Sequence, residues 1–130
     1  MPSRARGVAS FYDDDYRPIS TMTVRPDPAP ARTRVVAAIL EAFKGGRAPA
    51  ALLSRALRDG VYSAAELRSE LANASAPAFI DCQDLSGRSA TALGARIAAN
   101  CFYRTDGDRP RFWTFSFTPD GRVAYFELEE

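Results

Sequence analysis

The arginines within residues 86–118 are the side chains with the clearest chemical potential in this chain. Arg88 and Arg96 lie in a run of small residues that favours a helix, and three more arginines flank a predicted hairpin turn at residues 106–108. A guanidinium group binds phosphate through parallel hydrogen bonds, and a helix with small exposed residues can enter the major groove of DNA. The residues that we predict to contact double-stranded DNA are Arg88, Thr91, Arg96, Arg104, Arg109 and Arg111.

Other features of the sequence favour a protein partner instead. Asp106 and Asp108 lie among the hairpin arginines and would repel phosphate. The net charge of the chain is only +1, which excludes binding driven by a large basic excess. Lys44 is the only lysine among 17 cationic residues, and the others are arginine. GC-rich coding explains this preference for arginine more economically than selection for phosphate contacts does. The alternative to a small DNA-binding accessory protein is therefore an adaptor or inhibitor, encoded by a phage or mobile element, that binds a protein.

Histidine is absent from the chain, and this excludes many classes of enzyme. Without it there is no Ser-His or Cys-His nucleophile and no imidazole ligand for zinc. The acidic triplet at residues 13–15 could bind a hard cation, but adjacent carboxylates rarely converge on one ion without a folded loop. Asp81 and Asp84 could serve a metal-dependent nuclease, and they fit helix capping and salt bridges equally well. We predict no catalysis, no cofactor and no metal site.

The two cysteines, Cys82 and Cys101, are far apart in the chain and show no CxxC spacing. We predict that they are small buried apolar residues of a cytosolic protein, and the sequence leaves a disulfide open. No apolar run approaches membrane-spanning length, and the amino terminus lacks the apolar core of a signal peptide. We therefore expect a cytoplasmic protein with no membrane partner. The oligomeric state is open, and a dimer is among the states allowed.

Residues 1–31 differ in composition from the rest of the chain. Basic and acidic clusters alternate there, and four prolines between positions 18 and 30 prevent a continuous helix. We predict an extended or disordered tail followed by one domain over residues 32–130. The tail aromatics Phe11, Tyr12 and Tyr16 are predicted to form a protein-interaction site, either on the domain itself or on a partner.

Apolar periodicity and capping signals predict four helices. Pro49 is a favoured first-turn residue, and Ser63 with Glu66 forms a capping box before an apolar run. In the last helix, Leu93 and Ile97 fall on the same face at helical spacing. The four predicted helices span residues 33–43, 49–59, 64–73 and 86–100.

The last thirty residues alternate apolar and polar side chains in the manner of half-buried strands. They predict strands over residues 102–105, 113–117 and 123–128, joined by turns that contain glycine. Residues 78–82 are either a short strand or an apolar loop, because so brief a run carries no periodicity. The predicted fold class is α+β, with about four helices followed by a three-stranded antiparallel meander.

The segments Val61–Leu67 and Ser89–Ile97, followed by Phe112 and Trp113, resemble the winged helix-turn-helix modules of phage and plasmid replication proteins. The resemblance covers residues 49–117, about half of the chain. It implies a winged-helix-like fold and a module that binds DNA or docks to the replication machinery. The chain departs from the pattern because its recognition helix carries little positive charge and because a helix and a strand are added outside the module.

Overall fold

The computed structural model describes residues 23–54 and 64–129 of the 130-residue chain. Two α-helices precede the strands: α1 (Pro30–Lys44) and α2 (Ala64–Leu71), with a single 3-10 turn at Ala50–Leu52 between them. The strands are β1 (Ala78–Asp84), β2 (Thr91–Ala92), β3 (Ala95–Arg96), β4 (Ala99–Thr105), β5 (Arg111–Phe117) and β6 (Val123–Leu128). Strands β1, β4, β5 and β6 form one antiparallel sheet in that order, and β2 and β3 form a separate two-stranded ribbon.

Helix α1 forms where apolar residues recur at helical spacing. Val36, Ile39 and Phe43 are all buried, so one face of the helix lies against the sheet. Pro30 suits the first turn because its missing N–H would have no partner there. The carboxylate of Asp27 accepts hydrogen bonds from the Ala29 amide and from a side chain of the first turns of α1. The chain leading into α1 is thus held in a defined conformation.

The core lies between the helices and one face of the sheet. Its centre is aromatic: Phe115 stacks on Phe126 with ring centroids 5.1 Å apart, and Tyr103 meets Phe115 edge to face at 6.0 Å. Trp113 is fully buried, and its indole N–H donates a 3.0 Å hydrogen bond to the buried Thr105 hydroxyl. The odd-numbered side chains of residues 113–117 in β5 face this core, as the alternation predicts, but the prediction of a half-buried strand is wrong because Thr114 and Ser116 are buried as well.

The predicted fourth helix, residues 86–100, is wrong. The chain there forms a turn, the ribbon of β2 and β3, and the start of β4, which is a central strand paired with both β1 and β5. Leu93 and Gly94 adopt φ angles of 49° and 80°, which a right-handed helix does not contain. The apolar spacing that favoured a helix also fits two short strands, and pairing with neighbouring strands decides between them.

The predicted fold class is contradicted as well, because the structure is mostly sheet, with four main strands instead of a three-stranded meander. Residues 78–82, left open between strand and loop, belong to β1. In the helix predicted from Pro49, the chain forms only the 3-10 turn before Leu53 becomes extended and bridges to Val123. The remainder of that predicted helix lies outside the described residues. Helices α1 and α2 occur where the periodicity and the capping box placed them.

Candidate binding surfaces at the two ends of the sheet

The residues predicted to contact DNA lie at opposite ends of the sheet. Arg88, Thr91 and Arg96 belong to a projection formed by residues 85–98, which we call the arm. The three others lie in residues 104–111, the β4–β5 turn with the adjoining ends of the two strands, which we call the wing. Strand β4 has seven residues and separates the two, and at about 3.3 Å per residue this is a distance of about 20 Å. The structure therefore divides the single surface expected from the sequence into two.

Every arginine of the wing is paired with a carboxylate. Arg104 bonds Asp106 at 2.9 Å, Arg111 bonds Asp108 at 2.7 Å and Glu70 at 2.9 Å, and Arg109 lies 3.7 Å from Glu70. The hydrogen bonds from Arg111 lower the pKa of the Asp108 carboxyl, and the same carboxylates raise the pKa of Arg111. The Asp108 carboxyl thus stays ionised at neutral pH. The wing is therefore close to electrically neutral and is a poor phosphate-binding surface.

The wing is also held against the rest of the protein. The Ser75 amide donates a 2.6 Å hydrogen bond to the Asp106 carbonyl, and the Asp106 amide donates in turn to the Ser75 hydroxyl at 2.8 Å. Gly107 lies so near this α2–β1 loop that a Cβ on it would stand 2.7 Å from the carbonyl oxygen of Asn73. The wing is consequently packed along the protein and does not project as a free hairpin.

The arm is anchored at its base and open at its tip. The Leu85 amide donates to the Ala98 carbonyl at 2.7 Å, and the Ile97 amide donates to the Ala90 carbonyl at 2.9 Å. Leu85 and Ile97 are buried, so the two segments of the arm leave the domain from apolar anchor points. Thr91 and Arg96 are direct partners across the ribbon, and both are exposed. The structure thus brings these two predicted residues together, with Arg88 in the preceding turn.

Leu93 at the tip of the arm is the residue that sequence reasoning missed. It is 44% exposed, and its φ of 49° is in the left-handed region, which costs a bulky side chain about 1–2 kcal/mol. Two-residue hairpin turns of this type favour Asn-Gly, and only the glycine of that pair is present here. The signal in the sequence that could have predicted this turn was the Leu-Gly pair between two short segments that contain alanine. The helical spacing of the same residues obscured it.

The arm carries positive charge without a compensating acid. Residues 85–98 contain Arg88 and Arg96 and no aspartate or glutamate. Both arginines are exposed, and neither has an ion-pair partner in the described part of the chain. The arm thus combines a formal charge of +2 with an exposed apolar tip.

Cys82 and Cys101 form a disulfide across β1 and β4, which is the pairing that the sequence left open. They are register partners on adjacent antiparallel strands, which brings together residues that are 19 positions apart in sequence. Cys101 is fully buried, whereas Cys82 is half-buried beside a surface groove. Arg32 of α1 lies above the pair, with its Nη1 3.9 Å from the Cys101 sulfur.

The remaining candidates from the sequence do not form a site in the described part of the chain. Asp81 pairs with Arg25, and Asp84 accepts a hydrogen bond from the Ser86 amide that lowers the pKa of its carboxyl. Three positions apart on one strand, the two carboxylates point to opposite faces and do not converge on an ion. No cluster of three or more metal-ligating side chains occurs within residues 23–54 and 64–129. Phe11, Tyr12, Tyr16 and the acidic triplet lie outside the described residues.

No known protein family matches this chain, and neither a curated protein nor a solved structure does so. The resemblance to winged-helix replication modules therefore stays a prediction. Within the described residues, neither helix combines the length and the apolar character needed to cross a membrane.

Proposed function

We propose that this protein is a non-catalytic binding module that uses the arm to dock on an acidic protein surface. The observation that carries the proposal is the arm itself, where an exposed leucine in a left-handed conformation is flanked by two arginines that pair with no carboxylate of residues 23–54 and 64–129. In this mode Leu93 enters an apolar pocket of the partner, and the two guanidinium groups pair with carboxylates around its rim. The partner is thus defined by its chemistry as an acidic surface around an apolar cavity.

The conformation of Leu93 supports a role in binding. Strained backbone conformations cluster at functional sites, because elsewhere a substitution that removes the strain stabilises the fold at no functional cost. Asparagine or glycine at this position would form the same turn with less strain. A leucine adds exposed apolar surface instead, which an isolated domain does not need. Arginine is enriched in protein interfaces for its planar, multidentate donors, and two of them flank this leucine.

Duplex DNA is the second candidate partner, and it is favoured by the two arginines of the arm, which have no ion-pair partner among the residues that the structure describes. The expected strength can be worked out from the charges. Two phosphate contacts give a slope of about −1.8 for log K against log salt, so binding weakens only about tenfold between 50 and 200 mM salt. A protein that makes 6–10 phosphate contacts loses about 10³–10⁵ over that interval. Because the arginines of the wing are paired with carboxylates, the wing is a poor source of the missing contacts.

The first experiment separates the two partners with a defined probe. We would measure the fluorescence anisotropy of a mixed-sequence 30-base-pair duplex, titrated with the protein at 50 and at 200 mM salt. We expect dissociation constants weaker than about 10⁻⁴ M at the higher salt, at the weak end of non-specific binding. Micromolar binding with a slope of −5 or steeper would require at least five or six phosphate contacts and would overturn the proposal.

The second experiment locates the protein interface. A photoreactive amino acid replaces Leu93 at the arm tip or, as the control, the exposed Arg109 of the wing, and each protein is irradiated in a lysate of its source cells. We expect one protein to be captured from position 93 and not from position 109. The captured protein must then bind in purified form, with an affinity that falls as salt rises. Equal capture from both positions would show that the arm is not the interface.

The decisive variant is Leu93→Asn, because it separates stability from binding. Asparagine tolerates the left-handed region, so we expect the free energy of unfolding to rise by up to about 1 kcal/mol. Binding to the purified partner should weaken at least tenfold, since the apolar anchor is lost. Val24→Asn is the matched control, because Val24 is 50% exposed and is not part of the arm. A variant Leu93→Asn that binds as tightly as the control would remove the basis of the proposal.

We also propose a cytoplasmic location, and the disulfide has to be reconciled with it. Disulfides persist mainly in oxidising compartments, and in the cytosol of mesophiles they are usually transient, catalytic or redox-sensing. A cytoplasmic protein with this cross-strand pair should therefore cycle between its oxidised and reduced forms. Alkylation of free thiols in intact cells, followed by mass spectrometry, would test this. Complete oxidation in growing cells would instead place the protein in an oxidising compartment.

A further inference from the structure

The surroundings of the two sulfur atoms are asymmetric. Cys82 lies in edge strand β1 and lines a surface groove together with Arg25, Pro26 and Phe79. Cys101 lies in central strand β4 and has no exposed surface. A thiolate that attacks a disulfide must reach one sulfur along the line of the bond, so access decides which sulfur is attacked. Of the two cysteines, Cys82 is the one with exposed surface.

The buried sulfur has a cation beside it. The Arg32 Nη1 atom lies 3.9 Å from the Sγ atom of Cys101, and its guanidinium also lies over the Phe117 ring at 5.7 Å from the centroid. These contacts hold the positive charge against Cys101 and keep it in place. When a disulfide is cleaved, negative charge develops on the departing sulfur, and a neighbouring cation stabilises that charge.

We propose that the Cys82–Cys101 pair is a thiol–disulfide exchange site that reacts with a dithiol reductant. The thiolate of the reductant attacks the Cys82 sulfur, forming a mixed disulfide while the bond to Cys101 breaks. Cys101 leaves as a thiolate beside Arg32 and then takes up a proton. The second thiol of the reductant attacks the mixed disulfide and releases Cys82, so the reductant is oxidised to a disulfide and the protein holds two thiols.

The roles of the two sulfurs predict where the intermediate forms. Glutathione is the probe because a monothiol cannot resolve the mixed disulfide internally, and acid quenching traps the intermediate before Cys101 reverses the step or a second glutathione resolves it. Acid quenching, alkylation and peptide mass spectrometry should find glutathione on Cys82 at least tenfold more often than on Cys101. Equal labelling of the two cysteines, or labelling mainly on Cys101, would overturn the assignment.

The role of Arg32 is tested by the rate of reduction with dithiothreitol under native conditions. We expect Arg32→Gln to react about tenfold more slowly than the unsubstituted protein, and Arg32→Lys to recover part of the rate. Arg34→Gln is the matched control, since Arg34 is an exposed residue of the same helix. If Arg32→Gln also changes the equilibrium constant for reduction of the disulfide tenfold, the reduction potential shifts by about 30 mV.

The sign of the Arg32→Gln effect separates this role from a merely structural one. A substitution that only loosens the fold exposes the disulfide more often and makes reduction faster, whereas loss of the cation makes it slower. Unchanged or faster reduction in Arg32→Gln would overturn the proposal. So would a rate that becomes independent of dithiothreitol concentration at the rate of global unfolding, because the disulfide would then react only in the unfolded chain. A rate that stays proportional to concentration supports reaction in the folded protein.

Discussion

Gly107→Ala tests whether the wing is packed against the α2–β1 loop, as the structure describes. Its Cβ would stand 2.7 Å from the Asn73 carbonyl oxygen and 3.1 Å from the carbonyl carbon, both of them backbone atoms. Ordinary contact begins near 3.4 Å, so the two loops must separate by about 0.7 Å. That movement would lengthen the hydrogen bonds between Ser75 and Asp106, and overpacking of this kind costs about 1–3 kcal/mol.

Gly87→Ala is the control for this substitution. No atom lies within 4 Å of a Cβ at that position, and neither glycine has a positive φ, so backbone strain plays no part in the comparison. Where the backbone permits it, Gly→Ala stabilises a protein by about 0.4–1 kcal/mol through the unfolded chain. We therefore expect the two variants to differ by about 2 kcal/mol in the free energy of unfolding, measured by urea denaturation. In melting temperature this is about 10 °C for a domain of this size.

The result that refutes this reasoning is equal stability of the two alanine variants. It would mean that the wing moves away from the loop at little cost. The wing could then act as a projecting hairpin, and the argument that it is unavailable to DNA would lose one of its two supports.

Three further predictions concern the core and the ion pairs. Replacing Cys82 and Cys101 together with alanine should lower the free energy of unfolding by about 3 kcal/mol in urea denaturation, because the disulfide closes a loop of 19 residues. Arg111 lowers the pKa of Asp108, so Asp108 contributes stability that is present above the ordinary aspartate pKa of about 3.9 and is lost as pH falls through its lower folded value. The difference in melting temperature between Asp108→Asn and the unsubstituted protein should therefore be smaller at pH 2 than at pH 6. Burial raises the pKa of Tyr103, so stability should fall as pH rises above about 10, and Tyr103→Phe should reduce that fall in melting experiments between pH 8 and 11.

Local sequence patterns were sufficient to predict some of the helices and strands. Helix α1 follows from the spacing of Val36, Ile39 and Phe43, and α2 follows from the capping-box pattern in the sequence at positions 63–66. Strand β5 follows from strict alternation. In each case one residue pattern fits one secondary structure, because the buried face repeats with a period that the other structure cannot reproduce.

The arm was mispredicted because its pattern fits two structures. The alanines, Leu93 and Ile97 satisfy helical spacing, and the same residues fit a short ribbon with a two-residue turn. Helix propensity is a weak preference of less than about 1 kcal/mol for each residue. It was outweighed here by the pairing of β4 with two neighbouring strands. The position of that strand in the sheet depends on residues far away in sequence, which no local window contains.

The sequence by itself determined the two helices, the C-terminal strand alternation and the set of arginines available for binding. Only the tertiary structure decided that Glu70 of α2 joins the local aspartates in neutralising the wing, because Glu70 and Arg111 are 41 positions apart in the chain. Likewise, pairing of β1 with β4 decided that Cys82 and Cys101 form a disulfide. The physical reason is the same for both. Charge pairing and covalent linkage act over a few ångströms in space, and only the folded chain brings residues so distant in sequence that close.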